Sequence, residues 1–352
     1  MQYEVCLYSL SSINKETDIE LTLYILKDLA DRQYLAALRS LGLLYLYGEI
    51  VKKDLDLALM WFKKGEQSGS VECFFELAQI YDQGLGVPID QNLAGHYYQK
   101  SAEAGDFRGQ HHMGLRLILG DPVKDDAKAF GWFLKAAEQN FGPAQYVTAV
   151  LYETGTGTKK DIREAARRFE QLAEGGLLEA QLRLTSLCVM NPDIPTWTAK
   201  ALKWAEIAAS SGSSEAQNTL GKIYALGLGV PADPFKAMEL FKQSAEQGYG
   251  LAMLNLLYIY RHGFSGLDPD PDQVVSWVMK GYELGYPPLK YVLGLLYREG
   301  TVLEKNEEQA RRIFSEFSDS DRASIQRLLA SIMKEFAFSK PDPIFNNFIK
   351  EG

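Results

Sequence analysis

Basic charge is scarce in this sequence. Its 352 residues carry 37 Lys or Arg against 46 Asp or Glu, a net charge of −9. No Lys/Arg cluster is dense enough to make the basic stripe that a phosphate backbone needs, so nucleic acid is excluded as a main partner. An anionic membrane surface is excluded on the same ground. Cysteine is scarcer: Cys6, Cys73 and Cys188 are odd in number and have no paired spacing. They suit neither a disulfide framework nor a thiolate metal site, and a reducing cytoplasm fits them best. No apolar run approaches the roughly 18 residues that cross a bilayer, so no membrane insertion is expected. The opening stretch "MQYEVCLYSLSSINKE" has neither a basic start nor a sustained apolar core and does not read as a secretory signal peptide.

Glycine, in contrast, is plentiful and placed in register. The stretch "YDQGLGVPID" at residues 81–90 returns as "YALGLGVPAD" at 224–233. Two glycines one residue apart can cradle a phosphate. A phosphate loop, however, follows a strand and runs into Gly-Lys-Ser/Thr, and a dinucleotide loop needs a third glycine opening a helix. "GLGVP" has neither context, and no cofactor is expected.

The stretch belongs instead to a longer period. The first clear copy reads Ala37, Leu41, Gly42, Tyr45, Gly48, Val51, Asp54, Ala58, Trp61, Gly69. Adding 36 gives Cys73, Leu77, Ala78, Tyr81, Gly84, Val87, Asp90, Ala94, Tyr97, Gly105. A sixth copy runs from Ala216 through Leu220, Tyr224, Gly227 and Asp233 to Gly248. Ala37, Leu41 and Tyr45 lie four apart, on one helical face, and Ala58, Trp61 and Gly65 mark a second helix. The unit is therefore helix A, turn, helix B, turn. Gly42, Gly114, Gly221 and Gly294 let helices approach closely. Trp61, Trp132, Trp204 and Trp277 are expected to fill the space between repeats. Gly48, Gly84, Gly155, Gly227, Gly263 and Gly300 are expected to end helix A in left-handed backbone.

At these residues the chain resembles the Sel-one-like repeat (SLR) family, a relative of the tetratricopeptide repeat. "LGLLYLYG" and "LGKIYALGLGVPAD" are similar to its helix A and turn, and "KAMELFKQSAEQG" to its helix B. The resemblance implies an all-α fold, a right-handed superhelical solenoid of antiparallel helix pairs that binds other proteins. Eight copies cover residues 35–318, between a leading segment (1–34) with one truncated helix and a C-terminal part (319–352) with a capping helix and an apolar tail. Cys188 and "MNPDIPTW" interrupt the pattern in repeat 5, and "SGLDPDPDQ" lengthens the turn of repeat 7.

Catalytic and metal-binding patterns are absent. His111 and His112 are adjacent and point about 100° apart on a helix, with no Glu in a zincin arrangement. Asp268, Asp270 and Asp272 imitate the start of a calcium loop, but Gln273 and Met279 stand where glycine and the bidentate Glu belong. No Ser or Cys nucleophile has a recognisable setting, so a non-catalytic scaffold or adaptor is expected, with a toxin-neutralising immunity protein as the alternative partner class and an enzyme built across the superhelix as a remote one.

By analogy with the tetratricopeptide repeat, the inner face of helix A lines a concave groove. It comprises Arg39, Leu43, Leu46 and Tyr47 in repeat 1, Phe75 and Gln79 in repeat 2, and Arg108, His111, Leu115 and Ile118 in repeat 3. Tyr146 continues it in repeat 4, and Tyr258, Arg261 and Tyr291 further on. Leu46, Tyr47, Phe75, Leu115 and Ile118 are expected to form an exposed apolar cluster, and the tyrosines and arginines are types that anchor interfaces. "DSDRASIQRLLASIMKEF" reads as an amphipathic helix capping the last repeat with Ile325, Leu328, Leu329, Ile332, Met333 and Phe336. "SKPDPIFNNFIKEG" could dock on the groove, on a partner, or on another copy of the chain.

Overall fold

The computed structural model describes residues 16–121, 123–194 and 196–335. Phe336 and the apolar tail lie outside them, as does Cys6. The described residues form eighteen α-helices and no strand, with one isolated β-bridge between Phe264 and Leu267. They fall into two compact units dividing after Arg168, and eight repeats are shared between them.

The first unit begins with α1 (Glu16–Asp31), the leading helix. Three pairs follow: α2 (Leu35–Tyr47) with α3 (Leu55–Gln67), α4 (Val71–Gln83) with α5 (Gln91–Glu103), and α6 (Phe107–Leu119) with α7 (Asp126–Glu138). The next helix A is α8 (Gly142–Thr154), and the division falls inside its partner α9 (Ile162–Glu174). The second unit contains α10 (Leu178–Val189), α11 (Trp197–Ser210), α12 (Ser214–Leu226), α13 (Pro234–Glu246), α14 (Gly250–His262), α15 (Pro271–Glu283), α16 (Pro287–Glu299) and α17 (Glu307–Phe314). It ends with α18 (Asp319–Glu335). Consecutive helices pack on one another from α1 to α8 and from α10 to α17.

The residues that recur from repeat to repeat have physical tasks. The small residue on helix A faces an aromatic ring on its own helix B. A Cβ added to Gly42 would lie 2.4 Å from the Phe62 ring, and one on Gly114 would lie 2.8 Å from Phe133. Phe62, Phe133, Phe169 and Phe241 are wholly buried, and Tyr98 is 1% exposed. The space inside each pair is thus filled by the residue after the tryptophan position. Trp61 packs in one core cluster with Leu26 and Ala30 of α1 and Leu38 and Leu41 of α2, Trp204 and Trp277 are buried, Trp132 is only half-buried, and each ring carries a lysine ammonium 4.4–4.9 Å from its centre.

The turn between the helices is closed by the Tyr and Asp of the repeat. The Asp90 N–H donates to the Tyr81 carbonyl at 2.9 Å, and its carboxylate accepts from the Leu93 N–H at 2.9 Å. Asp54, Asp125, Asp161, Asp233, Asp270 and Asn306 cap their helices in the same way. This is the N-cap that four unsatisfied amides require, and it is the role of Asp270 in the acidic turn. Gly84 ends α4 at φ 70° and ψ 37°, left-handed backbone that glycine adopts at little cost. The second glycine of the motif answers to crowding: a Cβ on Gly157 would lie 1.9 Å from the Asp126 carbonyl oxygen. Gly263 departs from expectation, with φ 70° but ψ 164°; there the chain leaves α14 extended, and Phe264 and Leu267 exchange backbone hydrogen bonds at 2.9 Å.

Candidate functional site

In the first unit the inner positions of α2, α4 and α6 are tied together by one carboxylate. Glu76, 3% exposed, accepts on Oε1 from Arg39 Nε and Nη2 at 3.1 and 2.8 Å, and from Arg108 Nη1 at 2.8 Å. Arg108 also forks onto Asp106, with Nη2 to Oδ2 at 2.7 Å and Nε to Oδ1 at 3.2 Å. Its guanidinium lies 4.4 Å from the centre of the Phe75 ring. Charge-assisted, forked pairs of this kind fix geometry; here they fix the offset between three successive repeats. In the second unit the equivalent rung is neutral, with Asn255 Nδ2 donating to Asn218 Oδ1 at 2.8 Å.

Beside the network a cleft of about 430 Å³ opens between the starts of α4 and α6, lined by Arg39, Val71, Glu72, Asp106, Phe107 and Arg108. Phe107 forms its exposed apolar rim. The basic groups of the cleft are already engaged by Glu76 and Asp106, so it presents shape and a ring to a ligand more than net charge. Among the described residues no group of three His, Cys, Asp or Glu is arranged to hold a metal ion. His112 instead stacks on Tyr98 with ring centres 3.7 Å apart, and His111 meets Phe133 and Phe141 edge-on. Burial lowers both histidines below the ordinary value of 6.5. Burial raises the Cys73 thiol to about 11 and the Cys188 thiol to about 12, which keeps both unreactive.

The expected apolar cluster needs correction. Leu46 and Phe75 are only 6% and 9% exposed and belong to one core cluster with Phe62, Leu77 and Tyr98. Leu115 and Ile118 are half-buried against Phe133 and Leu151. The reason is that helix A packs on its own helix B and on the next repeat, so the strip left to solvent is narrower than the inner face of an isolated pair. Tyr47 is the member that stands out, at 62% exposed. Arg39, Leu43, Gln79, Arg108, His111 and Tyr146 are half-buried.

Tyr258, Arg261 and Tyr291, in the second unit, were also expected to face a groove, and they do not. Tyr258 is wholly buried and Tyr291 is 3% exposed. Arg261 is engaged by Glu299 through Nη2 at 3.0 and 3.1 Å. What covers the tyrosines is α18: Tyr258 Oη donates to the Leu329 carbonyl at 3.4 Å, and Gln326 Nε2 donates to Tyr291 Oη at 3.2 Å. The helix expected to cap the end of the array therefore lies on the inner face of α14 and α16. The sequence does signal this. "LAMLNLLYIY", with Asn255 as its one polar residue apart from tyrosine hydroxyls, and "YVLGLLY" are apolar on nearly every side, and a helix of that kind is buried. Glu76 was also missed, though a lone acid in "FFELAQIY" is the visible trace of a buried ion pair.

Comparison with known proteins agrees with this architecture. The Sel1 repeat pattern matches residues 35–70, 74–106, 108–141, 142–177, 198–213, 214–249, 249–286 and 290–320. The chain is 32% identical over 215 residues, 58% of its length, to chitin synthase regulatory factor 3 of Schizosaccharomyces pombe, of which it covers 22%. It is 25% identical over 316 residues, 82% of its length, to the chitin synthase regulator SKT5 of Saccharomyces cerevisiae, of which it covers 45%. The chain thus spans less than half of either relative. The solved structure of c5321, a protective antigen of uropathogenic Escherichia coli with an SLR fold, superposes with a TM-score of 0.70 at 24% identity, covering 97% of this chain and 80% of that one. Sel1 repeats mediate protein–protein interaction, and with eight of them matched across most of its length this chain belongs to the Sel1 repeat family.

Proposed function

We propose that the chain is a non-catalytic scaffold or adaptor that grips a protein segment along the inner face of α2, α4, α6 and α8. One observation carries this reading. In the first unit the inner positions remain partly open and chemically mixed (Arg39, Leu43, Gln79, Leu115, Tyr146), while the corresponding positions of α14 and α16 are shut. A half-open strip of aliphatic, aromatic and guanidinium groups, pre-set by the Glu76 network, is the composition of an interface core. The two fungal relatives named as regulators of chitin synthase support a regulatory rather than a catalytic role. No helix among the described residues is long and apolar enough to cross a membrane.

The test is capture of partners from native extract by the tagged chain and by Tyr47→Asp. Tyr47 is exposed, so the substitution should move stability by less than about 0.5 kcal/mol, the usual range for surface changes. Partners recovered with the parent chain should be lost with the variant. Unchanged recovery would remove this end of the face from the binding surface.

A further inference from the structure

The placement of α18 has a second meaning. Neighbouring helices in a stack lie about 8–10 Å apart, so a helix taking the next slot after α17 would be about two such spacings from α14. Yet α18 bonds to Tyr258 on α14 as well as to Tyr291 on α16. It crosses the inner face of two repeats, where a foreign segment would be expected to lie.

Its hold is one-sided. Ile325, Leu329 and Ile332 are buried at 7%, 2% and 5% exposure, spaced i, i+4, i+7 along one helical stripe. Ala323, Ser324, Arg327, Ala330, Ser331 and Lys334 face solvent. Within the runs α1 to α8 and α10 to α17, by contrast, each inner helix packs on the helix before it and on the helix after it. The surface beneath α18 is different again: α14 and α16 bury every residue from Ala252 to Tyr260 and from Tyr291 to Leu296. So apolar a face cannot be left to water. A departure of α18 therefore calls for another helix to take its place.

We infer that the inner face of α14 and α16 is a helix-receiving seat, held in cis by α18, and that its partner is an amphipathic helix of another protein with the pattern of α18: aliphatic side chains at i, i+4 and i+7 and an amide donor at i+1, in the places of Ile325, Leu329, Ile332 and Gln326. Recognition is by apolar fit along the stripe and by the two tyrosine hydroxyls, which make one contact to a helix carbonyl and one to a side-chain amide. The seat uses residues of the second unit alone, so it stands or falls apart from the open face of the first.

Hydrogen–deuterium exchange of the full chain tests the seat without any substitution in it. The probe is a synthetic peptide with the sequence of residues 319–335, and the control is the same peptide carrying I325D and L329D. The amides of α18 should exchange ahead of those of α14 and α16, because α18 opens alone. The probe at ten times its Kd for the opened seat should speed exchange of α18 about tenfold by holding the opened state, with α14 and α16 still protected. The control should do nothing. Exchange of α18 only in step with α14 and α16, or equal action of both peptides, would overturn the proposal. A dimer whose concentration dependence matches the release of α18 would overturn it as well, giving the seat to a second copy of the chain.

Discussion

At the scale of single residues, the repeat is held by contacts that recur every 36 residues or so, and its ionisable groups serve packing. His111 and His112 illustrate this. Desolvation lowers both below 6.5; for His112 the Asp82 carboxylate pulls weakly the other way, while Arg116 and His111 add to the lowering. Their neutral forms therefore belong to the fold. Above about pH 6.5 both the folded and unfolded chains hold them neutral, and their contribution to stability is complete. As pH falls below 6.5 the unfolded chain takes up protons that the fold resists, and that stability is lost. Carboxylates add their own acid loss, so the informative quantity is a difference. The double variant His111→Phe/His112→Phe keeps the ring contacts and removes the titration. Its melting temperature should fall less steeply than that of the parent between pH 7.5 and pH 5. Parallel curves would show that the two histidines play no part in the acid response.

At the scale of the helix, what could be read from the sequence and what could not divide along a clear line. Periodicity located the helix pairs, because the spacing of Ala, Leu, Tyr and Gly is dictated by contacts inside one repeat and between it and the next. The face left to solvent depends on how far each repeat turns against its neighbour, and one repeat does not encode that in its own residues. Leu46 and Phe75 look like surface anchors by position and are core by contact. Tyr258 and Tyr291 look the same and lie under a helix that they meet at Leu329 and Gln326, 71 and 35 residues further along the chain. The caps were legible only in part: the recurring Asp was visible, but its role at the start of helix B becomes clear with the backbone in place. Two substitutions separate these classes. Trp204→Ala, at a position 4% exposed, should cost about 3–5 kcal/mol, as large core truncations do. Leu46→Glu, which a groove reading would call harmless, should be similarly damaging because it buries an unpaired charge beside Phe62 and Leu77. Both are measured by denaturant unfolding. A Leu46→Glu chain as stable as the parent would return that residue to the surface.

At the scale of the whole molecule, the two compact units use one repeat for two ends. The first keeps a partly open strip crossed by the Arg39–Glu76–Arg108 rung, and the second shuts the corresponding strip with the chain's own α18. A family member built from interchangeable repeats can thus present different faces with the same backbone, by changing which inner positions are polar and which are apolar. The proposal that the open strip is the binding surface is tested most directly by site-specific photo-crosslinking in native extract. A photoreactive amino acid replaces Tyr47 or Gln79 on helices α2 and α4, and, in separate chains, the exposed Met60 on α3 or Ile207 on α11. The account predicts partner adducts from Tyr47 and Gln79 and none from Met60 or Ile207. Adducts confined to the helix B positions, or equal at all four, would contradict it.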